Sequence, residues 1–171
     1  MPVDSTDLRH MEAELATRLL HKQTSEAWAI CARIWERGEH VSLSRDQFET
    51  LIWGATNDGP RGSVAAFLNR CPNARADFLP LVFDLLVSRR RAGGYSTRRD
   101  VEEALAAVCG DQDLLPLWLE RRRSAPPSEK ASMAFVAIEK LLDCKGREWV
   151  RRQLPSVWPE LLEEEQESVL L

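Results

Sequence analysis

An all-α fold is what this 171-residue sequence predicts: a short right-handed stack of antiparallel helical hairpins, solenoid-like, forming one domain over residues 1–171. Three observations carry the prediction. Apolar residues recur at three- and four-residue spacing along most of the chain, the period of an amphipathic helix. No segment alternates strictly as a half-buried strand does; Val41-Ser42-Leu43 comes nearest and is too short to build a sheet. One phrase is also stated twice. Residues 77–91 read DFLPLVFDLLVSRRR and residues 113–123 read DLLPLWLERRR, each an acid, two apolar residues, a proline, an apolar run and three arginines. Internal self-similarity of this kind is the signature of a helical array, here of about seven to nine helices.

The elements follow in order. Leu8, Met11, Leu15 and Leu19 mark a first helix over residues 5–22, with Ser5 as its cap. Trp28, Cys31 and Trp35 share one face of a second helix, residues 25–37, with Gly38 at its end where a left-handed residue is wanted. Ser44 and Gln47 stand at capping-box spacing and open a third helix with a stripe of Phe48, Leu51, Ile52 and Ala55. Pro60 suits the first turn of a short helix to Arg70, which buries Val64, Phe67 and Leu68. Pro80 predicts either a helix beginning near residue 79 or one kinked helix through residues 73–91.

Ser96 or Thr97 caps the next helix, carrying Val101, Ala104, Leu105 and Val108 up to Gly110. The second arginine phrase comes next, and Ser124-Ala125-Pro126-Pro127 is a loop. Ser128 caps a long helix to Asp143 with Ala131, Ala134, Phe135 and Ile138 on its core face. Gly146 separates it from a helix bearing Trp149, Val150 and Leu154, and Trp158, Leu161 and Leu162 make one last helix. The acidic tail, residues 163–171, is expected to fray.

Cys31, Cys71, Cys109 and Cys144 fall 40, 38 and 35 residues apart. That period suits helix–turn–helix repeats, whose pairs bury their apolar faces only by stacking on neighbours. Within it, residues 26–59 resemble one pentatricopeptide-type unit. EAWAICARIWERG has that family's apolar spacing and terminal glycine, and FETLIWG has its aromatic-x-T-L-I-x-G opening. The resemblance covers about a fifth of the chain and implies a helical hairpin there. It carries over no base-reading positions, because that family reads RNA with several consecutive units.

Composition narrows the function classes. A formal charge of −4 makes nucleic acid the less favoured partner. The amphipathic N-terminus lacks an apolar signal core, and the longest apolar run is interrupted by Pro80, so the expected location is cytoplasmic, with no membrane and with reduced thiols. The cysteines form no C-x2-C pair and His10, His21 and His40 no H-E-x-x-H motif, so no metal, cofactor or catalytic residue is assigned.

The arginines are the functional lead: Arg89, Arg90 and Arg91, then Arg121, Arg122 and Arg123, then Arg151, with Arg98 extending the set. A cation near a helix C-terminus stabilises it by about 0.3–1 kcal/mol, which accounts for one or two arginines per helix and less readily for three in a row. The guanidinium fork grips carboxylates and phosphates at two points. The expected role is non-catalytic binding of another protein with an acidic surface, one form being an inhibitor or immunity-type protein that blocks its partner. The competing classes are an RNA-binding repeat using the arginine edge and an enzyme whose site is assembled from distant residues.

Overall fold

The computed structural model describes residues 5–57, 71–91 and 114–170. Among them are eight α-helices, one 3₁₀ turn and no strand. The helices are α1 (Ser5–Leu20), α2 (Thr24–Glu36), α3 (Arg45–Asn57), α4 (Pro72–Arg91), α5 (Leu114–Ser124), α6 (Pro127–Lys145), α7 (Arg147–Val157) and α8 (Glu163–Leu170), with the turn at Trp158–Glu160. The helices expected at 61–70 and from residue 96 onward lie outside the described residues, as do Arg98 and Cys109. The described residues fall into two compact units, 5–57 with 71–81 and 82–91 with 114–170, so that α4 gives its first half to one and its second half to the other.

In the first unit the predicted stripes become the core. Met11, Leu15 and Leu19 of α1 are buried, as are Ala27, Ile30, Cys31, Ile34 and Trp35 of α2 and Phe48, Leu51 and Ile52 of α3. Helix α1 packs on α2, and both pack on α3. The capping box forms as read: Ser44 N–H donates to Gln47 Oε1 at 3.0 Å, and Gln47 N–H donates to Ser44 Oγ at 3.2 Å. Phe78 of α4 sits with its ring centroid 5.7 Å from Trp28, 5.2 Å from Trp35 and 5.1 Å from Phe48, offset distances at which aromatic pairs attract.

The chain between α2 and α3 is staked to α4. Gly38 takes φ +80°, where a side chain would strain the backbone. Asn73 Nδ2 donates to Gly38 O at 2.8 Å. One turn later Asp77 accepts from Trp35 Nε1 and Val41 N–H, both at 2.8 Å on Oδ2, while Oδ1 lies 2.7 Å from His40 Nδ1.

Pro80 does not end α4, which is a single helix from Pro72 to Arg91. Pro72 opens it, where a missing N–H has no partner to lose.

The second unit is arranged around α6, which packs against α5, α7 and α8. Being covered on several sides, α6 buries Met133, Ala134, Val136, Ala137, Ile138 and Leu141. Its start differs from the expected Ser128 cap: Pro126 takes the capping position with φ −64° and ψ 151°, and Pro127 is the first helical residue. Gly146, at φ +81°, separates α6 from α7 as read. Phe135 is only half-buried, a correction to its expected place in the core. The core stripe runs through Ala134, Ala137, Ile138 and Leu141, and Phe135 stands about 100° round the helix from Ala134, at the stripe's margin. The segment from residue 163 also differs from the expected frayed tail, since residues 163–170 form α8.

Candidate protein-binding surface

Helix α5 shows how one arginine of a triplet differs from its neighbours. Its buried residues are Leu114, Trp118 and Arg122, at i, i+4 and i+8 on one face. Arg122 is therefore aimed inward, 8% exposed, and its inclusion in a partner-binding edge is corrected. Its Nε donates to Glu165 Oε1 at 2.8 Å and its Nη2 to Glu165 Oε2 at 2.7 Å. Nη2 also donates to Glu160 O at 2.7 Å. Glu165 is fully buried and accepts Leu162 N–H on Oε2 at 2.7 Å. Burial by itself would push the Glu165 carboxyl up; the Arg122 fork and the Leu162 amide outweigh it and hold the group below its ordinary value. The hydrogen bond to Glu165 likewise raises Arg122.

The neighbouring arginines face outward and are held by weaker contacts. The guanidinium carbon of Arg90 lies 3.7 Å from the centroid of the Phe135 ring, a stacking that engages the planar face of the guanidinium. Arg91 Nη1 is 2.5 Å from Glu129 Oε1. Arg121 Nη2 is 3.2 Å from Asp84 Oδ2, with both side chains well exposed. Asp84 and Arg91 are seven residues apart on α4, hence on one face and about 10 Å apart along the axis. Arg90, Arg91 and Arg121 are thus tied to one another through α4 and α6, and Arg123 is exposed one residue beyond Arg122.

Among the described residues this surface is a mosaic of arginines and their acids. Arg151 is exposed on α7 and its Nη1 lies 3.5 Å from Glu148 Oε1 on the same helix. Of Arg89, only the backbone lies in the described part of α4, and Arg98 lies outside it. Of the described tryptophan side chains, Trp35 and Trp118 are buried and Trp28, Trp149 and Trp158 half-buried.

Two residues of consequence carried no sequence signal that was read. Asp77 opens the first arginine phrase, yet its work is in the first unit, on the chain between α2 and α3. Glu165 falls in the segment expected to fray, yet its position three residues after Leu162 is the capping-box position from which a glutamate reaches back to the N–H of the capping residue. Three of the four cysteines lie among the described residues, Cys31 buried and Cys71 and Cys144 half-buried. Burial pushes the Cys31 thiol up to about 12. Among the described residues no helix is long and apolar enough to cross a membrane, and no three His, Cys, Asp or Glu side chains converge as metal ligands. Comparisons with protein-family models, curated proteins and solved structures gave no match.

Proposed function

We propose that the chain is a non-catalytic protein-binding module, a stack of helical hairpins whose outward arginines on α4 and α5 engage an acidic partner protein. The observation that carries this reading is the way Arg90, Arg91 and Arg121 are held. Each is pre-oriented on the surface by a ring or a carboxylate from another helix. Exposed ion pairs are worth only about 0.2–1 kcal/mol, so a partner's carboxylates exchange with Asp84 and Glu129 at little loss, while the side chains are already placed. An inhibitor or immunity-type protein that covers its partner's active surface is the specific form of this role.

The test is capture of the partner from the source cell, followed by association kinetics with Arg90→Glu/Arg123→Glu. Charge at the rim of an interface governs the association rate and its salt dependence. The variant is expected to associate about tenfold more slowly at low salt and to approach the wild-type rate as salt rises. Equal rates at low salt count against the reading.

A further inference from the structure

We draw no further inference here: the strongest candidate, the apolar groove of the second unit lined by Trp118 of α5, Ile138 and Leu141 of α6 and Trp149, Val150 and Leu154 of α7, carries none, because nothing in the structure shows what covers it.

Discussion

Arg122 and Glu165, 43 residues apart in sequence, are joined by two parallel hydrogen bonds of 2.8 and 2.7 Å, with the carboxylate wholly buried. The pair fastens the last helix to the second unit. Removing one member strands the other's charge in a site closed to water. Arg122→Ala and Glu165→Ala should each destabilise the chain by about 3–5 kcal/mol, whereas Arg122→Met/Glu165→Leu, which removes both charges and keeps volume, should cost far less. Urea unfolding of the three variants gives the comparison.

The same pair predicts a pH dependence. The Glu165 carboxyl sits below its ordinary value of 4.5 in the folded chain. Its contribution is therefore fully present above that value and is lost as pH falls through the lowered one. The stability difference between wild type and Glu165→Gln should be constant near neutrality and shrink in acid, as thermal or urea unfolding from neutral pH downward would show. A difference that grows toward low pH would reverse the sign assigned to the carboxyl.

Phe135 gives a graded test of the second unit. A wholly buried ring costs about 3–5 kcal/mol to remove. Because this ring is half-buried under Arg90, Phe135→Ala should cost about half of that. A double-mutant cycle with Arg90→Met should return a coupling of about 0.5–1 kcal/mol, the range for an exposed cation over a ring.

Asp77 tests the first unit. Its carboxylate holds the Trp35 indole, the Val41 amide and the His40 ring at once. Hydrogen bonds to a charged group contribute about 1.5–3 kcal/mol, and Asp77→Ala should lose at least that much. Faster amide exchange at Val41, read alongside urea unfolding, would locate the loss between α2 and α3.

The thiols should divide by burial. With Cys31 pushed up to about 12, only about one molecule in 10⁴ carries its thiolate at pH 8, and the thiolate is the reactive form. Cys71 and Cys144, half-buried, should react with a disulfide reagent well before Cys31, which becomes reactive in denaturant.

Helical periodicity alone determined the class of this protein and much of its core. Met11, Leu15 and Leu19, the α2 and α3 stripes, the Ser44–Gln47 capping box and the helix-ending Gly38 and Gly146 were all legible, because each depends on neighbours within about one to three turns. Even the inward aim of Arg122 was present in its i, i+4, i+8 spacing from Leu114 and Trp118, though the run of three arginines reads first as a solvated end. The carboxylate that meets it lies 43 residues away, on a helix that gains its order only by docking, and local pattern says nothing of such a partner. The same holds for Asp77 and for the Arg90–Phe135 stack, joined across 45 residues of chain. Tertiary structure decided these because a charge or ring on a helix surface has many geometrically allowed partners, and only packing brings one of them within hydrogen-bonding or stacking reach.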